Sequence, residues 1–123
     1  MHHIGTDIVE IGRIEEAVSR WGAAFLRRIF TPAELGLCRG RVSSLAVRFA
    51  GKEAVMKALG QPAGGISWRE IEILADPSGQ PVVHLHGKAK GQAADLRLGK
   101  LAISLSHSRD YAIAMVIGGP EST

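Results

Sequence analysis

The sequence predicts an α+β fold: a small single domain with a long buried helix packed on an antiparallel sheet. Three observations carry that expectation. Arg48-Phe49-Ala50-Gly51-Lys52-Glu53-Ala54-Val55-Met56-Lys57-Ala58-Leu59-Gly60 is made largely of strong helix formers and ends on a glycine suited to the position after a helix. At about 3.6 residues per turn, Leu45, Phe49, Met56 and Leu59 share one face, while Ala46, Ala50, Ala54 and Ala58 fill most of the remainder. A helix that is apolar or small nearly all round belongs inside a protein. Two pairs of strand-like segments follow it, each pair folded back by a turn.

In chain order, residues 3–9 alternate like a strand, with Ile4, Thr6 and Ile8 on one face and Gly5, Asp7 and Val9 on the other. Asp7 is an acid among apolar neighbours, in an element that disfavours acids, so it needs a partner. Residues 11–22 form an amphipathic helix whose buried stripe is Ile11, Ile14, Val18 and Trp21, and Phe25, Leu26 and Ile29 continue the pattern to Phe30. Thr31-Pro32-Ala33-Glu34 is a capping box with proline at the first helical position, and the short helix it opens runs to about Arg39. Ser43 or Ser44 is expected to cap the central helix. After Gly60, Gln61-Pro62-Ala63-Gly64-Gly65 is a loop. Residues 68–74 read as a strand, Asp76-Pro77-Ser78-Gly79 as a turn, and 82–86 as the returning strand. Residues 88–97 are weakly helical. Leu101–Ser106 and Tyr111–Ile117 form a second hairpin, and residues 118–123 are expected to be a frayed tail. Tyr111–Ile117 is apolar on both faces, so part of it should pack on the central helix or on another subunit.

The chain has 123 residues, which suit one domain over 1–123. No apolar run is long enough to span a bilayer and no signal peptide is evident, so no membrane is expected. The single Cys38 excludes an intramolecular disulfide framework and fits a reducing cytoplasm. His2, His3, His84, His86 and His107 have no zinc-site spacing. The formal charge of +3 is concentrated in the first half, where residues 1–60 carry nine Lys/Arg against six Asp/Glu. Arg13, Arg20 and Arg27 recur every seven residues and so align along a helix, as a solvated face or as a landing site for an acidic partner. Aromatics interleaved with these basic residues are lacking, and nucleic acid is not expected.

The charges of the central helix allow two readings. Glu53 and Lys57 are spaced i, i+4, as are Arg48 and Lys52 on another stripe. They are helix-surface charges, with the Glu53–Lys57 ion pair contributing about 0.2–0.5 kcal/mol, or a carboxylate for a metal and an ammonium for a phosphate. The helix alone does not decide. Asp7 is the second acid that the functional reading needs.

Four separated segments resemble one family. Gly5-Thr6-Asp7-Ile8-Val9-Glu10-Ile11, Thr31-Pro32-Ala33-Glu34-Leu35, Arg48-Phe49-Ala50-Gly51-Lys52-Glu53-Ala54 with Lys57, Ala58 and Gly60, and Ser104-Leu105-Ser106-His107-Ser108 are similar, in order, to the holo-acyl-carrier-protein synthase family of 4′-phosphopantetheinyl transferases. The resemblance covers nearly the whole chain. It implies transfer of the 4′-phosphopantetheine of coenzyme A to a serine of an acyl carrier protein, in support of fatty-acid synthesis. It also implies magnesium held by Asp7 and Glu53, phosphate contacts from Lys57 and His107, and Arg48 as a candidate for the 3′-phosphate. Either Glu53 or a metal-bound water would be the general base. Arg13 and Arg20 fall where the family docks the carrier's acidic helix, with Arg27 or Arg28 beside them. The family resemblance further implies a homotrimer with active sites between subunits. Two departures stand out: Val47 replaces a basic residue common in the family, and Gln61-Pro62-Ala63 replaces a Gly-Thr-Gly-like run.

Two other classes compete. A non-catalytic oligomeric module binding an acidic protein or RNA would explain the basic first helix, but not the acids at positions 7 and 53. A transferase acting on a polyketide or peptide carrier would keep the chemistry and change the partner.

Overall fold

The computed structural model describes residues 1–60 and 65–121. Of the expected loop over 61–65, Gln61–Gly64 lie outside the described residues, as do Ser122 and Thr123 at the end of the expected tail. The order is β1 (His3–Glu10), α1 (Ile11–Trp21), α2 (Ala23–Ile29), α3 (Pro32–Cys38), α4 (Val42–Leu59), a 3-10 turn (Trp68–Glu70), β2 (Ile71–Ala75), β3 (Pro81–Leu85), α5 (Gly87–Asp95), β4 (Leu98–His107) and β5 (Tyr111–Pro120). The α+β architecture matches the sequence expectation. The main sheet has the antiparallel order β1-β5-β4, and β2 and β3 form a separate hairpin. Asp7 pairs with Ala114, which pairs in turn with Leu105; Val9 pairs with Ala112, which pairs with His107.

Helix α4 is the hub. Ten of its eighteen residues are buried, including Leu45, Val47, Val55 and Leu59. One apolar cluster joins Ala50, Ala54, Val55, Ala58 and Leu59 to Ile71, Ile73, Leu98, Leu101, Ala114 and Val116. A second joins Leu45, Ala46 and Val47 to Ile14, Ile29, Phe30, Cys38 and Ala112. Covering the helix on opposite sides is possible because alanine and glycine occupy so many of its positions. A Cβ on Gly51 would run into the Ile73 side chain.

Several local expectations change. No serine caps α4; its N-cap is Arg41, which has no capping side-chain bond, and both Ser43 and Ser44 lie inside the helix. The tight turn at Arg39 and Gly40, both at positive φ, brings Arg41 back onto α3, where its backbone and side chain donate to the carbonyl of Cys38 at 3.0 and 3.3 Å. Trp21 is 58% exposed instead of buried, because α1 ends there and Gly22, at φ 54°, turns α2 away. Residues 68–70 form a 3-10 turn closed by a Ser67–Glu70 capping box, so the strand begins only at Ile71. The first part of the expected tail, residues 118–120, is strand instead: β5 continues to Pro120, Gly118 is buried, and a Cβ there would strike Leu101.

The alternation of β5 resolves its two apolar faces. Ala112, Ala114 and Val116 are buried beneath α4, whereas Tyr111, Ile113, Met115 and Ile117 are exposed, beside exposed Ile4 and Ile8 of β1.

Candidate functional site

Two of the predicted site elements meet because β1 lies hard against α4. A Cβ on Gly5 would overlap the Ala54 carbonyl, so glycine there allows a backbone-to-backbone approach. Asp7, two residues further on the same strand face, is thereby brought beside the last turns of α4. The Lys57 ammonium donates to Asp7 Oδ1 at 3.1 Å and to the Thr6 carbonyl at 3.0 Å. Its partner is therefore across the interface, not the Glu53 one turn before it. Glu53 completes the cluster. Burial and then the charge of Asp7 push its carboxyl above the ordinary glutamate value, against a smaller opposing pull from Lys57. An open cavity of about 290 Å³ adjoins this group, lined by Thr6, Asp7, Ile8, Lys57 and Ile113.

The other charged residue singled out on α4 behaves differently. Lys52 is fully buried with Glu34 of α3, Nζ to Oε1 at 2.7 Å. Its remaining donors go to the carbonyl of Trp68 at 3.1 Å and to that of Ile71. Glu34 accepts in addition from the backbone N–H of Thr31 at 2.9 Å and of Ile73 at 2.8 Å. Burial pulls the Lys52 ammonium below its ordinary value, with Glu34 acting against that pull. The sequence expectation placed Lys52 on an exposed stripe of the helix with Arg48. The structure turns it inward, since the sealed carboxylate and carbonyls form a complete donor–acceptor set there. The capping box identified Glu34 as an N3 residue, and that is confirmed. Its long-range ionic role left no local signal, because its partner is eighteen positions away on another helix.

Phe49 and Trp68 were also not recognised as a pair. Their rings stack with centroids 4.9 Å apart. Together with Trp21, Ala24, Phe25, Arg28 and Ile29 they line a groove of about 470 Å³. Phe49, Glu53 and Lys57 follow one another at i, i+4 spacing, so the groove wall stands one turn, about 6 Å, from the acid cluster along α4.

The remaining predicted residues lie elsewhere. Arg13 and Arg20 are exposed on α1; Arg13 pairs with Glu10 at 3.5 Å, and the Arg20 guanidinium sits 5.2 Å from the Trp21 ring centroid, at the rim of the groove. Arg48 faces β2 and donates to the Ile73 carbonyl at 3.0 Å, so within one chain it is not gathered with Asp7. His107 is exposed at the end of β4, two strands from β1, or about 10 Å in the plane of the sheet. Val47 is buried in the α1–α4 cluster.

A family model described as the 4′-phosphopantetheinyl transferase superfamily matches residues 3–116. The chain belongs to this superfamily. It is 56% identical over 117 residues to a holo-[acyl-carrier-protein] synthase of Dehalococcoides mccartyi, covering 95% of this chain and 98% of that one. A similar synthase of Moorella thermoacetica is 46% identical over 120 residues, with 95% and 93% covered. Among solved structures, the transferase resembles the Helicobacter pylori synthase in complex with coenzyme A, with a TM-score of 0.83, 38% identity, and 94% and 99% of the two chains covered. Asp7, Glu53 and Lys57 thus stand together in a phosphopantetheinyl transferase fold.

Proposed function

We infer that the protein transfers the 4′-phosphopantetheine group of coenzyme A to a serine hydroxyl of an apo acyl carrier protein. The serine oxygen bonds to the phosphorus nearer the pantetheine. The bond from that phosphorus to the bridging pyrophosphate oxygen breaks, and adenosine 3′,5′-bisphosphate leaves with the electron pair. The observation that carries this reading is the Asp7–Glu53–Lys57 cluster, two acids and an ammonium, with Asp7 and Lys57 lining an open cavity in this fold.

The donor set fits magnesium. The Asp7 charge adds to the cost of ionising Glu53, as a neighbouring carboxylate does when no cation lies between, and magnesium takes one or two protein carboxylates with phosphate and water completing its shell. Held by Asp7 and Glu53, magnesium supplies neutralisation of the pyrophosphate charge. Lys57 binds a phosphate oxygen, exchanging its contact with Asp7 for one with substrate. Glu53, with its carboxyl raised, is the chain's own group to accept the serine proton.

The acceptor approaches along α1 and α2. Arg13, Arg20 and Arg28 give this side a positive charge complementary to an acidic carrier, and the Phe49–Trp68 groove between them and Glu53 accepts the apolar part of the docking helix. Support for a homotrimer comes from the exposed strip of Ile4, Ile8, Ile113, Met115 and Ile117. Ile8 and Ile113 also wall the cavity at Asp7, so a second copy packed on this strip closes the site and brings its own His107 or Arg48 to the coenzyme A phosphates. We place the enzyme in the cytoplasm, serving fatty-acid synthesis.

The test is mass spectrometry of apo carrier incubated with the protein, coenzyme A and magnesium. The expected product is carrier heavier by one phosphopantetheine. Unmodified carrier under conditions where coenzyme A is bound overturns the reading. A charge at Ile113 or Met115 is expected to dissociate the particle in sedimentation and abolish activity together; a fully active wild-type monomer defeats the trimer.

A further inference from the structure

The sealed Glu34–Lys52 pair lies one residue from a metal-site acid, yet it touches neither that acid nor the cavity beside Asp7. What it touches is the backbone behind the apolar groove. All three ammonium donors of Lys52 are committed: one to Glu34, one to the Trp68 carbonyl and one to the Ile71 carbonyl. The carbonyls belong to the 3-10 turn and the first residue of β2, the segment that emerges from residues 65–67 and carries the Trp68 indole. Glu34 holds the far side of the same segment by accepting from Ile73 N–H at 2.8 Å, and holds the start of α3 by accepting from Thr31 N–H at 2.9 Å. Thr31 Oγ1 in turn donates to Glu72 at 2.6 Å. Apolar contact alone leaves such a turn free to slide along α4. Three charge-assisted bonds in a water-free setting fix its height on the helix. That height sets where the Trp68 ring stacks on Phe49, one turn from Glu53.

We propose that Lys52 and Glu34 are positioning residues for the acceptor: they pin the Trp68–Phe49 wall of the groove at a fixed distance from Glu53, and so set the register in which a carrier docks. The proposal rests on the carrier-docking role assigned to the groove under the proposed function. It separates these two residues from Asp7, Glu53 and Lys57, whose loss acts on the phosphate chemistry itself.

The experiment compares Lys52→Met with Glu34→Gln/Lys52→Met, which removes both charges and so leaves no unpaired buried charge where the single variant does not fold. Trp68 is followed in a Trp21→Phe background by acrylamide quenching of its fluorescence, without substrates. Kinetics are measured in the natural Trp21 background, below each variant's melting temperature. The expected result is faster quenching of Trp68 together with a carrier KM raised by roughly tenfold, while the coenzyme A KM stays within about twofold. Unchanged quenching, equal changes in both KM values, or wild-type kinetics in a merely less heat-stable protein overturns the proposal. A Trp68→Ala variant separates the two readings. If it raises the carrier KM while Lys52→Met leaves Trp68 as shielded as before, the groove receives the carrier and the positioning role is wrong. If Trp68→Ala leaves the carrier KM unchanged, the groove reading fails and the proposal falls with it.

Discussion

Helix α4 carries two acid–ammonium assemblies, and they have opposite characters. In the Asp7–Lys57 pair the lysine side chain is 55% exposed, the contact is 3.1 Å, and Glu53 stands by with its carboxyl raised. In the Glu34–Lys52 pair both side chains are 0% exposed and every charged group has hydrogen-bond partners within the chain. The first assembly has two acids and one ammonium, with Asp7 and Lys57 lining an open cavity, an arrangement whose charges a cation and a phosphate would balance. The second is already balanced and closed to water. The same residue types, separated by one position at Lys52 and Glu53, therefore form an open, unbalanced cluster in one case and a closed, balanced one in the other. Completeness of the local partner set, not the presence of charge, distinguishes them.

The largest expected effect breaks the first assembly. Asp7→Ala and Glu53→Ala should each lower kcat by about a thousandfold or more, since each removes half of the carboxylate pair, while thermal stability changes little. Stopped transfer with an intact melting transition confirms the site; retained activity in both variants refutes it.

Breaking the second assembly should cost stability as well as carrier docking. Lys52→Met leaves Glu34 buried without its cation and is expected to cost about 3–5 kcal/mol, with much of that recovered in Glu34→Gln/Lys52→Met. Denaturant titration of the two single variants and the double variant measures the coupling. Additive losses would show that the pair is not a unit.

Reversing Arg13 and Arg20 together to glutamate should raise the carrier KM by about tenfold or more at low salt, leave the coenzyme A KM nearly unchanged, and flatten the salt dependence of carrier binding. Parallel loss for both substrates would mean that α1 supports the site instead of receiving the partner. Lys57→Ala sharpens the comparison with Lys52. It should weaken coenzyme A turnover while altering stability by less than about 1 kcal/mol, because its pair is solvent-exposed.

The smallest effect concerns Glu72. Partial burial works to raise its carboxyl, but hydrogen bonds from Thr31 and His86 outweigh that and hold it below the ordinary value of 4.5. A depressed carboxyl stabilises the fold above its unfolded value and ceases to do so as pH falls through the lower folded value. The acid side of a melting-temperature profile should therefore flatten slightly in Glu72→Gln. An identical profile would show that the Thr31–Glu72–His86 link adds nothing to stability.

The elements that the sequence announced clearly are those governed by neighbours within one or two turns. The alternation at residues 3–9 correctly separated Gly5, Asp7 and Val9 from Ile4, Thr6 and Ile8. The Thr31–Glu34 capping box formed as expected, and the composition of α4 foretold its burial. Asp7, Glu53 and Lys57 could be chosen because an acid in a strand and charges on an apolar helix are locally anomalous. Local rules failed where a distant partner decided. Trp21 fits the apolar stripe of α1, but the turn at Gly22 leaves it at the rim of a groove. Residues 68–70 alternate like a strand, yet the Ser67–Glu70 box winds them into a 3-10 turn.

Periodicity assigns residues to faces because helix and strand geometry repeat at fixed intervals. It identified the buried helix and the two-faced last strand. It had no means of telling that Lys52 would be enclosed and Lys57 open, since both are lysines on one apolar helix. Packing made that choice. Lys52 is enclosed where Glu34 and two carbonyls from separate segments converge, whereas Lys57 emerges beside β1 because Gly5 lets that strand approach the helix. Desolvation depends on every segment that surrounds a group, and those segments meet only in the folded chain.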